Sequence, residues 1–120
     1  MQNLEQIRAR NALNFATQGA VSGEKGGEVI KKVAPLIQNH GLLATAAYSF
    51  TEKEAWHKVF DAIAQHLADE DIGIAPADAK DRQALMDFLT QKGTTSETLK
   101  LATAETMAWL TYAARFVKKA

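Results

Sequence analysis

Apolar residues recur along much of the chain at the spacing of amphipathic helices. The clearest case lies in the middle of the sequence. At about 100° per residue, one side of a helix there gathers five large apolar residues, namely Trp56, Val59, Phe60, Ile63 and Leu67. His57, Asp61 and Ala68 fall away from that side. We therefore expect this helix to pack through its aromatic side and to expose its polar side.

Capping residues and helix breakers delimit the first half of the chain. A first helix is predicted from Asn3, with Gln6 as its capping-box partner, to about Gln18. A flexible turn containing Gly23, Gly26 and Gly27 is expected next. A second helix is predicted over about 28–39, and Pro35 either kinks it or starts a fresh turn, because proline has no N–H. Gly41 ends it.

The short segment 42–50 is apolar or small almost throughout, and it predicts a buried central helix. Thr51 and Glu54 form a possible capping box for the aromatic helix. Asp78 is the predicted cap of a further helix that stops at Gly93.

The last helix is predicted to start near Thr95 or Ser96 and to have two faces. Its core face is expected to contain Leu99, Thr103, Thr106, Leu110, Ala113 and Val117, widened by Trp109 and Phe116. Its opposite face clusters the basic residues Lys100, Arg115, Lys118 and Lys119.

Length and composition agree with one small helical protein. The 120 residues fit a single domain over residues 1–120, without a linker or internal repeat. Alanine (22) and leucine (11) far outnumber valine (5) and isoleucine (6), which favours helix over sheet. The predicted fold is therefore all-α, a single compact bundle of about five to six helices.

The overall charge balance limits the kinds of partner that the protein can bind. There are 14 Lys and Arg against 14 Asp and Glu, so a protein that coats nucleic acid by bulk charge is excluded. Residues 69–87 hold six carboxylates and two cations, whereas residues 88–120 hold five cations and two carboxylates. This asymmetry would suit head-to-tail self-stacking or docking beside a larger subunit. Helix caps and a solvated loop explain it equally well.

The residues give little support for catalysis or cofactor binding. Cysteine is absent, no Gly-x-Ser-x-Gly elbow occurs, and residues 22–27 lack the order of a phosphate-binding loop. No catalytic residue, metal site or cofactor is predicted. One weakly supported hypothesis is a small metal-dependent hydrolase that would use His57, Asp61 and His66. An exposed His57–Asp61 pair and a packed, hydrogen-bonded His66 are the favoured interpretation.

Arg8 lies in the middle of what should be the apolar stripe of the first helix, between Leu4 and Ala12. Either it pairs internally with a carboxylate such as Glu105, or it meets a partner or an RNA phosphate. The internal pair is favoured. Arg10 is expected to point to solvent.

The N-terminal residues and the length of the apolar stretches indicate where in the cell the protein is expected. Residues 1–5 show no basic region followed by an apolar run, and no stretch is long enough to span a bilayer. We therefore expect a soluble cytoplasmic protein with no membrane partner.

Two segments resemble a known family, the small alpha-helical subunit of the type III-B CRISPR (Cmr) effector complex. Residues 33–43, Val-Ala-Pro-Leu-Ile-Gln-Asn-His-Gly-Leu-Leu, resemble that family's apolar-Pro-x-Ile-x-x-Asn-Gly-Leu stretch. Residues 103–116, Thr-Ala-Glu-Thr-Met-Ala-Trp-Leu-Thr-Tyr-Ala-Ala-Arg-Phe, are similar to its closing Thr-x-Glu-Ala-Leu-x-Trp-Leu-x-x-x-Lys/Arg-Phe helix. Arg8 and Ala12 also fit the pattern, whereas His40 is an insertion in it.

The resemblance implies a non-catalytic subunit within an effector complex for antiviral defence. Copies would stack beside the backbone that carries the crRNA, other Cmr subunits would be its partners, and a basic groove would hold target RNA paired with the guide. The candidate RNA contacts are six basic residues, Arg8, Lys31, Lys32, Arg115, Lys118 and Lys119. The alternative is a free-standing helical adaptor that binds protein through residues 42–50, without nucleic acid.

Overall fold

Six helices make up the described part of the chain. The computed structural model describes residues 3–17 and 24–117, and its helices in chain order are α1 (Leu4–Thr17), α2 (Glu24–His40), α3 (Leu42–Ser49), α4 (Glu54–Ala68), α5 (Arg82–Thr90) and α6 (Ser96–Phe116). No strand occurs within these ranges. The predicted all-α fold is confirmed. None of the helices in these ranges is both long and apolar enough to cross a lipid bilayer.

The core is built around α4 and α6. Helix α6 packs against α1, α2, α3 and α4, and its Trp109 and Leu110 are buried. All five residues of the predicted aromatic side of α4 are buried as well, which confirms that side. Ala68 is also buried, against expectation. The reason is local: the N–H groups of Ile74 and Ala75 donate to the carbonyl of Leu67, so the following loop covers the end of α4.

The predicted boundaries of α1 and α2 are partly confirmed. Asn3 and Gln6 exchange two hydrogen bonds, 3.0 and 2.8 Å long, as a capping box does. Helix α2 begins earlier than predicted and includes Gly26 and Gly27. The buried Val29 and Ile30 anchor this turn of α2 in the core, so tertiary packing overrides the low helix propensity of glycine. Gln18 and Gly23 lie outside the described residues.

Pro35 and Gly41 shape the junction of α2 and α3. Helix α2 continues through Pro35, because Val33 and Ile37 on either side of it are buried and hold the helix in place. Gly41 ends α2 with a φ of 87°, a backbone conformation that favours glycine. Thr103 of α6 then accepts a 3.2 Å hydrogen bond at its hydroxyl from the N–H of Leu42. The chain therefore enters α3 tied to α6.

Helix α3 has one buried face and one exposed face. Leu42, Thr45, Ala46 and Ser49 are buried, as predicted for a central helix. Tyr48, however, is 48% exposed, and Phe50 at the end of the helix is 40% exposed. The prediction of a fully buried segment is wrong for these two aromatic residues.

Two of the predicted helix caps are wrong, and the predicted start of α6 is confirmed. Thr51 does not cap α4: its hydroxyl donates to the carbonyl of Tyr48, because the chain leaves α3 through a turn there. Asp78 does not cap α5. Asp78 lies in a turn that ends at Lys80. The true cap is Asp81, three residues after Asp78. Helix α6 begins at Ser96, within the predicted start, and its cap Thr95 accepts a hydrogen bond from the N–H of Thr98.

The corrected cap of α5 gives a stability prediction. Asp81 Oδ1 accepts the N–H of Ala84 at 2.8 Å, so Asp81→Ala should lower the free energy of unfolding by about 1 kcal/mol. Asp78→Ala is the matched control and should change it by less than about 0.5 kcal/mol. Urea unfolding followed by circular dichroism measures both. Equal losses, or a larger loss for Asp78→Ala, would show that the cap is misplaced.

Candidate functional site

A hydrogen-bonded network of polar and charged side chains joins α1, α4 and α6. Arg8 donates from Nε and Nη2 to the two carboxylate oxygens of Glu105, both at 2.7 Å. His66 Nε2 lies 3.0 Å from Oε2 of the same carboxylate. Asn11 Nδ2 lies 2.9 Å from His66 Nδ1 and 3.0 Å from Asp69 Oδ2. Five residues from three helices and one loop thus share one network.

The network fixes the protonation state of His66. The Asp69 carboxylate can only accept, so the amide nitrogen of Asn11 is the donor to it and to His66 Nδ1. The ring therefore carries its proton on Nε2 and donates to Glu105. Burial lowers the pKa of His66, and the bond to Glu105 opposes that shift only in part. A second proton on Nδ1 would point at the Asn11 amide, which explains why the neutral ring suits this site.

Glu105 remains charged although it is buried. Burial alone would raise the pKa of Glu105, but the hydrogen bonds from Arg8 and His66 lower it below the ordinary value. Its side chain is 7% exposed and that of Arg8 is 21% exposed. The two hydrogen bonds from one guanidinium to one carboxylate make a strong ion pair, and at this depth the pair is largely shielded from water. The network stabilises the charged carboxylate inside the bundle.

The structure shows which group Arg8 pairs with. The predicted internal pair with Glu105 is confirmed. A contact between Arg8 and RNA stays a prediction, and two of the three guanidinium nitrogens already bond to Glu105. Arg10, expected to point to solvent, is 42% exposed and lies 3.7 Å from Asp69 and 4.0 Å from Asp71.

Three of the remaining RNA-contact candidates are exposed cations. Lys31 and Lys32 lie on the outer side of α2, and Arg115 lies on the last turn of α6. Within residues 3–17 and 24–117, none of the three forms an ion pair. Lys118 and Lys119 lie outside the described residues. The structure therefore leaves three cations of the proposed set available to an anionic partner.

The basic side of α6 is more extended than predicted. Lys100 and Arg115 are both exposed, but they are fifteen residues apart, which is about 22 Å along a helix. Between them α6 exposes Ala104 and Thr111, with Ala108 partly covered. Both cations lie on the solvent side of α6, as predicted, but they are not neighbours. Small residues separate them, so an approaching partner meets little steric hindrance there.

Aromatic residues and an arginine form a second exposed feature, which the sequence did not reveal. The Arg82 guanidinium lies 3.9 Å from the centre of the Phe50 ring and donates from Nη1 to the Ser49 carbonyl at 2.8 Å. Tyr48 packs edge-on against Trp56, with ring centres 5.3 Å apart. The only signal in the sequence was the presence of two aromatic residues in a segment of otherwise small and apolar ones.

The surface of the described residues also has two concave regions. An open groove of about 450 Å³ lies between α2, α3 and α6. Its lining is mainly apolar, although it includes the polar side chains of His40 and Lys100. The lining residues are His40, Gly41, Leu42, Leu43, Leu99, Lys100, Thr103 and Ala104. A recess of about 140 Å³ between α1 and α4 is lined by amides, including Asn14 and Gln65, and by the edge of the network at His66.

The histidine spacings do not produce a converging site. His57 and Asp61 lie 3.5 Å apart on the outside of α4, as predicted for an exposed pair. His66 is buried, 2% exposed, and bonded to Asn11 and Glu105. It is therefore packed and hydrogen-bonded, as predicted. Among the described residues, no group of three or more His, Cys, Asp or Glu side chains is placed to hold a metal ion.

Breaking the network at Arg8 should be costly. Arg8→Ala leaves the Glu105 carboxylate buried without its strongest partner, so the free energy of unfolding should fall by about 2–3 kcal/mol. Arg10→Ala, two positions along α1, removes long and more exposed ion pairs and should cost less than about 1 kcal/mol. Urea unfolding at neutral pH measures both. A loss for Arg8→Ala no larger than that for Arg10→Ala would contradict the network.

Acid should destabilise the fold through His66. Because its pKa is lower in the folded chain than the ordinary 6.5, the unfolded chain binds more protons as the pH drops below that value. The free energy of unfolding should therefore fall between about pH 7 and pH 5. Glu105, whose pKa is also lowered from 4.5, adds a further loss at more acidic pH. His66→Gln should reduce the slope between pH 7 and pH 5.

His57→Gln is the matched control for this pH experiment, because it removes a half-exposed histidine from the same helix. The same slope in the His66→Gln variant and the unmodified chain would show that His66 does not drive the acid sensitivity.

Comparison with known proteins identifies one family. The family model described as CRISPR-associated protein (Cas_Cmr5) matches residues 4–120. No curated protein and no solved structure matches the chain at a significant level. The match spans all six helices, including the network and the exposed cations. The chain therefore belongs to the Cas_Cmr5 family, the small subunits of the Cmr (type III-B) CRISPR complex.

Proposed function

We propose that this Cmr subunit has no catalytic role and that copies of it stack beside the crRNA-bearing backbone, where a basic face holds the target RNA. The observation that carries the proposal is the pairing pattern of the cations. Arg8 is neutralised inside the bundle by Glu105, whereas Lys31, Lys32 and Arg115 are exposed and form no ion pair with described residues. Their charge is available for phosphates.

The chemistry of guided recognition fits such a face. When base pairing between guide and target reads the sequence, a supporting protein needs contacts to phosphates and to helix shape. Lysine and arginine side chains serve this purpose without sequence preference. We place the subunit in the cytoplasm, where target transcripts are found. Lys118 and Lys119 follow Arg115 in the sequence and belong to the same proposed set.

The proposal gives Arg8 a smaller part than the exposed cations. Its fork is held by Glu105, so a phosphate would meet only the exposed part of its side chain. Its main contribution is to hold α1 on α4 and α6. The absence of a catalytic role is supported by His66, the one buried histidine, whose two ring nitrogens both have partners within the fold.

A second candidate function is favoured by the exposed aromatic residues. Tyr48 and Phe50 give α3 a surface that suits a protein partner, as a helical adaptor that acts without nucleic acid would need. The two functions differ in what accompanies the native protein. Co-purification with small RNA and larger subunits supports the RNA-holding function, and co-purification with protein alone supports the adaptor.

Charge reversal tests the RNA face in the assembled complex. Arg115→Glu, Lys118→Glu and Lys119→Glu together should weaken retention of target RNA, most strongly at low salt, because three phosphate contacts are lost. The slope of log affinity against log salt should become shallower by about 2 to 3. A filter-binding titration at several salt concentrations measures it.

The matched control reverses three other exposed lysines, Lys53, Lys80 and Lys92, which changes the net charge by the same amount. It should leave the salt slope nearly unchanged. Lys31→Glu with Lys32→Glu tests the α2 part of the face separately. Equal effects from the control and the test variants would show that only the net charge matters and not the position of these cations. Unchanged retention of target RNA in the test variants would refute their assignment as RNA contacts.

A further inference from the structure

The recess between α1 and α4, which we call the amide recess, combines three side-chain amides with a small apolar wall. Two asparagines of α1 and one glutamine of α4 supply the amides, and Phe15 and Ala62 supply the apolar part. None of its lining side chains is charged, because His66 is neutral. A phosphate, a carboxylate or a metal ion would therefore find no opposite charge in the lining. The lining residues are Asn11, Asn14, Phe15, Ala62, Gln65 and His66.

Each amide of the recess keeps hydrogen-bonding capacity that the fold does not use. Asn11 uses both of its N–H groups within the charged network, so its Oδ1 is the acceptor that it can offer to a ligand. Gln65 donates one N–H to the Lys80 carbonyl at 3.3 Å, which leaves its second N–H and its Oε1. The Asn14 side chain forms no hydrogen bond with any described residue. The recess therefore offers donors and acceptors side by side.

The size of the amide recess matches one six-membered ring. Its volume is about 140 Å³, close to the roughly 150 Å³ of a protein cavity that holds a benzene ring. A pyrimidine base is one such ring, uncharged, with donors and acceptors on neighbouring positions of its edge. Asparagine and glutamine bind base edges because each amide pairs a donor with an acceptor. A purine needs more room for its second ring, so size and hydrogen bonding together indicate a pyrimidine.

Only an unpaired base has its edge free for such a site. Within a duplex of guide and target, the bases use these edges on each other, whereas an unpaired base of single-stranded RNA is bound by side chains through its edge and its ring. The exposure of the lining residues suits this mode. Asn14 and Gln65 are exposed, whereas Phe15 is buried. A bound base would therefore place its ring towards Phe15 and its edge against the amides.

We propose that the amide recess binds a single unpaired pyrimidine base, with Asn11, Asn14 and Gln65 bonded to its polar edge. The site itself is independent of the proposed function, and only an RNA strand as the source of the base rests on it. The contact contains no ion pair, so it would hold RNA outside the guide-paired stretch without adding to the salt dependence of binding. A free pyrimidine nucleoside presents the same chemistry, and the experiment separates the two sources.

Titration of the full chain with uridine, cytidine and adenosine tests the recess. These nucleosides carry no phosphate, so the exposed cations contribute nothing to their binding. Heteronuclear NMR should show saturable shifts of the side-chain amide signals of Asn14 and Gln65. It should also shift the indole signal of Trp109, whose ring centre lies 5.4 Å from that of Phe15 and 6.0 Å from that of His66. Uridine and cytidine should bind about five- to tenfold more tightly than adenosine. No saturable shift, or equal binding of adenosine, would overturn the proposal.

Two variants with matched controls locate the binding. Ala62→Leu fills the recess without removing a hydrogen bond and should weaken uridine binding by about tenfold or more. Ala55→Leu, at another partly buried alanine of α4, should leave it unchanged.

Asn14→Ala removes one exposed amide and should weaken uridine binding about fivefold, whereas Asn39→Ala, exposed on α2, should not. A thermal melt checks that Ala62→Leu folds, and Asn14→Ala decides the matter if it does not. Unchanged binding in Asn14→Ala or in a folded Ala62→Leu chain would overturn the proposal, as would equal losses in the controls.

The assembled complex identifies the source of the base. Target RNA with a short unpaired uridine tail should be retained about fivefold more tightly than the same RNA with an adenosine tail. Ala62→Leu should remove this difference and leave the salt slope unchanged. Binding of free uridine without a difference between the tails would refute RNA as the source and leave a free nucleoside as the ligand.

The recess and the RNA-holding function fail in different ways. If the charge-reversal variants weaken RNA retention but no pyrimidine nucleoside binds, the recess is refuted alone. If uridine binds and the charge-reversal variants retain RNA normally, the RNA-holding function is refuted alone.

Discussion

The bidentate bond between Arg8 and Glu105 is the interaction on which the arrangement of the helices depends. Helix α1 buries three apolar residues, Ile7, Ala12 and Phe15, and packs the Phe15 ring against Trp109 of α6. The charged network supplies the rest of its attachment to α4 and α6. A paired charge inside a small bundle demands precise geometry, because a carboxylate that loses its partners there is strongly disfavoured. The position of α1 is thereby fixed.

This fixed core divides the cations of a neutral chain into two groups. Arg8 is used internally, while Lys31, Lys32 and Arg115 remain exposed on α2 and α6. Under the proposed function, a subunit of a guided complex benefits from this division, because its exposed charge would meet phosphates without weakening the fold.

Local signals in the sequence were sufficient where one residue decides the outcome. The Asn3–Gln6 capping box, the start of α6 and the aromatic side of α4 all follow from short-range spacing. The Arg8–Glu105 pair was predictable because a charge inside an apolar stripe needs a partner. The helical Gly26 and Gly27 were not predictable, since tertiary packing overrides propensity there. The cap at Asp81 was missed because two aspartates three residues apart compete for one role. The exposure of Tyr48 and Phe50 was missed because it depends on how α3, α4 and α5 pack.

A structure of the complete effector complex with guide and target RNA bound is the most direct test of this account. We expect the side chains of Lys31, Lys32 and Arg115 within about 4 Å of phosphate oxygens, and Arg8 still bonded to Glu105. Finding these three cations turned away from the RNA while Arg8 leaves Glu105 to bind a phosphate would contradict it.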